Sequence, residues 1–196
     1  MPAHHVDCII TAAGLSSRMG KWKLMLPWQQ GTVLDASIKN ARLFCSRVIL
    51  VGGYRYEELY QRYQRWPGVI IIRNNDYANG LQTSVHLAAQ HVSTPFCFVT
   101  HGDLPCLPDA IWPLLWQQRG QQALLPDYLG TPGHPILLSR QLLLQAVSRP
   151  EPTIRKALLA GPHRHVAVTF PGIIADVDTP EDYRRLYASH GINLSF

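Results

Sequence analysis

No stretch of this chain is apolar for long enough to cross a bilayer, and the first residues lack the apolar core of a secretory leader. These absences lead to the expectation of a cytoplasmic protein with no membrane contact. Metal spacing is missing as well. Cys8, Cys45, Cys97 and Cys106 stand singly, and no Cys/His cluster or His-x-x-x-His pair suggests a zinc module. Three of the four cysteines sit inside apolar runs and read as reduced, buried thiols. No Ser/Gly-rich linker, charge block or internal repeat divides the 196 residues, 46% of them hydrophobic, so a single domain spanning 1–196 is expected. The cations are not gathered on one element: Arg47, Arg55, Arg62, Arg65, Arg73, Arg140 and Arg155 are spread along the chain. The formal charge of +5 therefore suits an anionic ligand and gives no sign of nucleic-acid binding. Two familiar phosphate loops are absent too. No Gly-Lys-Ser/Thr closes a Walker-type loop, and no Gly-x-Gly-x-x-Gly follows a strand.

What is present is the run from Cys8 to Lys23. An apolar strand, Cys8–Thr11, leads into a loop of small residues, with Arg18 and Lys23 at fixed distances behind it. Ala13, Gly14, Ser16, Ser17 and Gly20 leave room for backbone N–H groups to approach an anion. Arg18 and Lys23 add full positive charge to the same place, and a polyphosphate is the natural guest.

Downstream, apolar runs alternate with helical periodicity. Leu34, Ile38, Ala41 and Cys45 predict a helix within 32–45, followed by a strand at Arg47–Val51 closed by Gly52-Gly53. A polar helix over Tyr56–Arg65, a β-branched strand at Val69–Ile72, a helix marked by Leu81, Val85, Ala88 and Val92, and a strand at Phe96–Thr100 follow. Strands separated by crossover helices favour a parallel sheet covered on both faces. After residue 105 the order loosens. Pro108 suits a first helical turn, Pro113 is expected to kink or end that helix, and Ala123–Leu125 and Pro135–Leu138 read as strands. Ser139 caps a helix over 140–147, Val166–Phe170 and Ile173–Ala175 read as short strands, and Thr179-Pro180-Glu181-Asp182 opens a final helix. The pattern fits a three-layer, Rossmann-like α/β fold whose later half, roughly 106–175, carries a substrate-binding insertion.

Asp103 lies just past the end of the Phe96–Thr100 strand, at the sheet edge where ligands bind in open parallel sheets. A carboxylate facing Arg18 and Lys23 suits Mg²⁺ bridging phosphates, and it would equally serve to cap a helix starting near Pro108. His101 reads as a local hydrogen-bonding group rather than a base. Asp176 and Asp178 flank one apolar residue, which puts both carboxylates on one side of an extended chain; capping and surface charge are the plainer reading. The segment from Asn75 through Gly80 to Ser84 brings polar side chains and a helix N-terminus together, as base- or ribose-reading groups or as a plain turn and cap. In Gly130-Thr131-Pro132-Gly133-His134-Pro135, two glycines and two prolines restrict the backbone, either to position His134 or to form a rigid hairpin.

The pattern A-A-G-x-S-x-R-M-G-x-x-K-x-x-L-P, from Ala12 to Pro27, resembles the signature loop of the MobA-like nucleotidyltransferases. Within them it looks most like the molybdenum cofactor cytidylyltransferase branch. G-D-x-P at Gly102–Pro105, D-x-D-T-P-E-D at Asp176–Asp182 and P-G-H-P at Pro132–Pro135 fall in family order. The resemblance runs from residue 8 to about 187 and implies a mostly parallel mixed sheet with one antiparallel strand. It implies that Ala12, Ala13, Gly14, Ser16, Arg18 and Lys23 wrap an NTP triphosphate, with Asn75, Gly80 and Ser84 near the base. It further implies catalytic roles for Arg18, Lys23 and Asp103, Mg²⁺ on Asp103 and Asp178 with Asp176 beside them, and an acceptor facing Gly133, His134 and Pro135. A hydrogen bond from His134 to the acceptor phosphate is the expected contact. The implied reaction transfers CMP from CTP to molybdopterin carrying molybdenum, with a molybdenum hydroxylase as transient partner. Sugar-phosphate and isoprenoid cytidylyltransferases share the first loop, and a non-catalytic cofactor carrier is the reading from a different class.

Overall fold

β1 runs from His4 to Ala12 because its side chains alternate between two apolar layers. Val6, Cys8 and Ile10 enter one buried cluster, whereas Ile9 enters the other. Such a strand is buried on both faces, as the interior of a parallel sheet requires. The computed structural model describes residues 4–151 and 153–189, so the ends of the expected 1–196 domain lie outside the described residues.

The other strands are β2 (Pro27–Trp28), β3 (Gly31–Thr32), β4 (Cys45–Gly52), β5 (Val69–Arg73), β6 (Phe96–His101), β7 (Ala123–Tyr128), β8 (Thr131–Pro132), β9 (Ile136–Ser139) and β10 (His163–Ala167). The helices are α1 (Val33–Arg42), α2 (Tyr56–Tyr63), α3 (Leu81–Ala89), α4 (Ile111–Gln117), α5 (Arg140–Val147), α6 (Ile154–Leu159) and α7 (Pro180–Ser189). The main sheet has the order β10-β7-β9-β6-β1-β4-β5, with β8 paired to β7. β1 pairs in parallel with β4 and β6, β4 with β5, and β7 with β10. β9 is antiparallel to both of its neighbours, β6 and β7. The sheet is therefore mixed and mostly parallel.

Apolar side chains of α1, α2 and α4, including Leu34, Leu59 and Trp112, join one cluster, and those of α3, α5 and α6, including Val85, Leu143 and Leu158, join the other. This gives the expected three layers. A third cluster ties Met19 of the small-residue loop to Trp28, Val177 and the Leu186 and Tyr187 side chains of α7. Helix starts follow the expected chemistry. Ser139 accepts from the Leu142 N–H, and Thr179 accepts from the Asp182 N–H while Asp182 accepts from that of Thr179.

Four expectations change. Strands β7, β9 and β10 extend the main sheet, so the later half completes the fold rather than inserting into it. Pro113 sits at the third position of α4 without ending it, because an N–H there would lack an intrahelical acceptor anyway. β10 begins at His163 and ends at Ala167, three residues earlier than expected at each end. Residues 171–174 form a 3₁₀ turn, not a strand, with Pro171 opening it and the Ala175 N–H bonded to the Gly172 carbonyl. Among the described residues no helix is long and apolar enough to cross a membrane.

Candidate functional site

The loop after β1 is pinned at its back and bare at its front. Met19 and Leu24 are buried, and a 3₁₀ turn at each of Ser17–Met19 and Lys23–Met25 fixes the path between them. Ser16 has φ 56° and Gly20 φ 65°, and the Ser16 hydroxyl accepts from the Lys23 N–H at 3.2 Å. A Cβ built on Gly14 or Gly20 meets nothing within 4 Å, so the exposed side of the loop offers backbone to a ligand. Ala12 and Ala13 are buried beneath it.

Two acids from distant positions reach the same ammonium. Lys23 Nζ lies 2.5 Å from Asp103 Oδ2 and 2.6 Å from Asp178 Oδ1. Arg18 Nη2 donates to Asp178 Oδ2 at 2.7 Å. The geometry has a local cause: the Val177 N–H donates to the Asp103 carbonyl at 2.9 Å, which ties the 176–178 segment to the turn after β6. That turn is held in place by the Gly102 N–H on the Thr11 carbonyl and by the Ser37 hydroxyl on the Gly102 carbonyl. A Cβ on Gly102 would meet Leu34 Cδ1 at 2.8 Å, so the turn sits tight against α1. Asp103 caps no helix; the residue before α4 is Ala110.

Electrostatics follow from these contacts. Burial alone would lower the Lys23 pKa, but Asp103 and Asp178 outweigh it and the net direction is up. Burial would raise Asp178, and Lys23 with Arg18 overcomes that and holds it down. Asp176 is pushed up by burial and by the charges of Asp178 and Asp103, without a cation of its own in hydrogen-bond contact.

Among the described residues no three His, Cys, Asp or Glu side chains form a ready-made metal cluster. The donor set nonetheless fits a magnesium-like ion. Asp103 Oδ1 is buried without a hydrogen-bond partner, and two carboxylates sharing one ammonium are the ligand count that Mg²⁺ takes when phosphate and water complete its shell.

The remaining expected residues separate. Gly80 lines a cavity of about 490 Å³ together with His101, Gly133 and His134. Asn75 lines a neighbouring cleft of about 560 Å³ beside Asp76 and Gln82. Ser84 is 1% exposed and accepts from Asn74 Nδ2 at 2.9 Å, so its hydroxyl fastens β5 to α3 rather than facing a ligand. The buried asparagine of this segment is Asn74, which also supports the Asp76 N–H and donates to Thr83. Gly133 is wedged: a Cβ there would stand 2.3 Å from the Ile173 carbonyl oxygen. The His134 N–H donates to that carbonyl at 2.9 Å, and a cis peptide joins His134 to Pro135.

The role expected of His134 changes. Its Nδ1 is 3.2 Å from the Val99 carbonyl, and burial with the neighbouring His101 ring lowers its pKa to about 3. A neutral imidazole whose Nδ1 proton is taken by the Val99 carbonyl has no ring hydrogen left to donate to a phosphate. Neither Trp22 nor the Gly53–Arg55 segment stood out in sequence. The Tyr54 N–H donates to the Ala13 carbonyl at 3.3 Å, and Arg55 stacks over the buried Trp22 ring at 4.8 Å. Only Gly53, with Ala13 Cβ 2.9 Å from its Cβ position, carried a readable sign, as the second glycine closing a strand.

Comparison with known proteins agrees with this geometry. Residues 8–166 match the MobA-like NTP transferase domain family. A relative named molybdenum cofactor cytidylyltransferase, from Escherichia coli (strain K12), is 56% identical over 179 residues, which cover 91% of this chain and 93% of that one. The crystal structure of Rv0371C from Mycobacterium tuberculosis H37Rv in complex with manganese superposes with a TM-score of 0.74 at 25% identity, covering 95% of this chain and 100% of that chain. A nucleotidyl transferase from Methanothermobacter thermautotroptrophicus shares the fold, with a TM-score of 0.84 at 19% identity over 95% of this chain and 98% of that one. With most of its length matched and a relative of such high identity, this chain belongs to the MobA-like NTP transferase family.

Proposed function

We propose that this protein transfers CMP from CTP to the phosphate of molybdopterin carrying molybdenum, releasing pyrophosphate and forming the cytosine dinucleotide of the cofactor. The convergence of Lys23 with Asp103 and Asp178 carries the reading, because it joins an anion loop to two acids across the open edge of the sheet. The 56% identity to the Escherichia coli cytidylyltransferase supports the choice of nucleotide and acceptor.

The acceptor phosphate is already a nucleophile at neutral pH. One of its oxygens attacks the α-phosphorus, a new P–O bond forms, and the bond to the β-phosphate oxygen breaks with its electron pair leaving on pyrophosphate. No strong base is required. The chain's tasks are alignment and neutralisation of charge. The 12–16 backbone holds the triphosphate, and Arg18 and Lys23 meet the negative charge that builds on the α-phosphoryl and leaving groups. Asp103 and Asp178, with Asp176 beside them, would hold Mg²⁺, which when bound neutralises phosphate charge. Gly80 and Asn75 border the nucleotide, while Gly133, His134 and Pro135 border the acceptor. The reading places the protein in the cytoplasm, handing its product to a molybdenum hydroxylase.

Pyrophosphate release measured with molybdopterin and each of CTP, GTP, ATP and UTP, in the presence of Mg²⁺, tests the proposal. Release with CTP above the other nucleotides is the expected result. Preference for GTP would overturn the cytidylyl assignment, and nucleotide binding without any release would mark a carrier.

A further inference from the structure

The 490 Å³ cavity has one cation, Arg155, in a lining that is otherwise mostly apolar and that phosphate chemistry alone does not explain. Its walls include Val85, Val99, Leu125, Ile136, Leu143 and Leu158, and the polar groups among them include two imidazoles, those of His101 and His134. The rings meet edge to face with centroids 4.1 Å apart. His101 Nδ1 is bonded to the Thr11 hydroxyl at 2.7 Å.

His134 has a determined tautomer. A backbone carbonyl only accepts, so the 3.2 Å contact between Nδ1 and the Val99 oxygen requires the proton on Nδ1. In a neutral ring Nε2 then carries a lone pair and no hydrogen. Among the described residues nothing donates to that nitrogen, and it is not among the sealed polar atoms without partners, so it opens to the cavity. The backbone holding it is rigid: Gly133 is wedged against the Ile173 carbonyl and the His134 N–H is bonded to it. An acceptor fixed in an apolar cleft rewards a ligand N–H and penalises a ligand that leaves it bare.

We infer that His134 Nε2 is a specificity-determining hydrogen-bond acceptor for an N–H on the flat, uncharged heterocycle of the acceptor substrate. The inference rests on the proposed function for the identity of that heterocycle, a pterin, whose ring N–H and amino groups are donors. His134 stands on the β6, β7 and β9 side of β1, and the cavity reaches the start of α3 at Gly80, where it meets the nucleotide of the proposed reaction, whereas Gly53 and Tyr54 close on Ala13 from the end of β4, on the other side.

Unsubstituted pterin, followed by its own fluorescence, tests this without any transfer reaction. His134→Leu keeps bulk and loses the acceptor, whereas His134→Gln keeps an acceptor at similar reach. The expected result is pterin binding about tenfold weaker in His134→Leu and largely restored in His134→Gln, with CTP affinity unchanged in both as the check on folding. With molybdopterin as substrate, the leucine variant should raise the acceptor KM and leave kcat and the CTP KM alone. Absence of pterin binding to the unaltered protein, equal binding to both variants and the unaltered protein, or loss of CTP rather than pterin affinity would overturn the inference. Failure of pyrophosphate release with normal pterin binding would instead count against the proposed reaction alone.

Discussion

At the scale of the residue, Lys23 is the most connected group of the site. Its ammonium satisfies two carboxylates, and its side chain is 15% exposed, compared with 71% for Arg18. Charge held in a partly desolvated place acts more strongly than charge in water, so the two cations are unequal. Lys23→Ala is expected to lower kcat by about 10³-fold, while Arg18→Ala costs about tenfold, as steady-state kinetics with CTP would show. Asp103→Asn separates chemistry from stability. Lys23 keeps its 2.6 Å bond to Asp178, so the variant should melt close to the unaltered protein and yet lose transfer. An active Asp103→Asn enzyme with unchanged Mg²⁺ dependence would defeat the role given to that carboxylate. Arg18, Lys23 and Asp103 were legible because each sits in a short contiguous pattern. What sequence did not show is that one lysine bridges both acids, since the contact spans 155 positions and depends on the Val177 N–H finding the Asp103 carbonyl. Which asparagine is buried was hidden for a related reason. Asn74 and Asn75 are adjacent and chemically alike, and only the turn of β5 into the loop decides which one is buried.

At the scale of the element, glycine positions distinguish packing from ligand approach. Gly14 faces open space and has no positive φ, whereas Gly133 has the Ile173 carbonyl where a Cβ would go. Gly133→Ala is therefore expected to destabilise the protein by about 2 kcal/mol through overpacking, and to impair acceptor use because the β8–β9 turn must shift. Gly14→Ala should leave the melting temperature unchanged and raise the CTP KM, since its methyl group would project where phosphate is expected. Thermal melts beside CTP kinetics check the pair, and a destabilised Gly14→Ala would show that the loop is tighter than its geometry indicates. The central strands were readable because β-branched runs buried on both faces have few alternative uses. Residues 171–174 misled for the same reason: Ile173 and Ile174 look like strand, but Pro171 and the Gly172 carbonyl bond to Ala175 turn the chain there. The later strands β7, β9 and β10 were recognisable as short runs, yet their membership in the main sheet depends on long-range pairing that no local pattern encodes.

At the scale of the whole molecule, the fold carries buried titratable groups whose protonation opposes its stability in acid. Asp7 is 1% exposed and accepts from Arg47 Nε at 2.8 Å, from Nη2 at 2.7 Å, and from the Ser93 N–H at 2.8 Å. Burial would raise its pKa, but Arg47 and these amide hydrogens outweigh it, so the carboxyl stays below the usual range. Asp35 is held down in the same way by Arg62, Tyr63 and Thr32. A carboxyl lowered on folding stabilises the protein above its unfolded pKa, near 4, and loses that contribution as pH falls through the folded value. His134 acts in a higher window. Its pKa drops to about 3 on folding, so below about 6.5 the unfolded chain gains a proton that the folded one refuses. Stability should thus begin to fall below pH 6.5, by up to about 1.4 kcal/mol per pH unit for this ring, and fall faster below pH 4 as the carboxylates protonate. Urea unfolding between pH 7 and 3 reads both stages. His134→Gln should make the upper stage about half as steep without touching the lower one, the remainder coming from His101, whose pKa burial and Lys23 lower to about 4. Asp7→Ala should cost about 3 kcal/mol at pH 7, because it removes the carboxylate partner of Arg47 and the acceptor of the Ser93 and Thr94 amides, and should weaken the lower stage. If the upper stage were as steep in His134→Gln as in the unaltered protein, the ring would have to be accepting a proton in the folded protein, and its bond to the Val99 carbonyl could not fix the tautomer on which its role in the cavity depends.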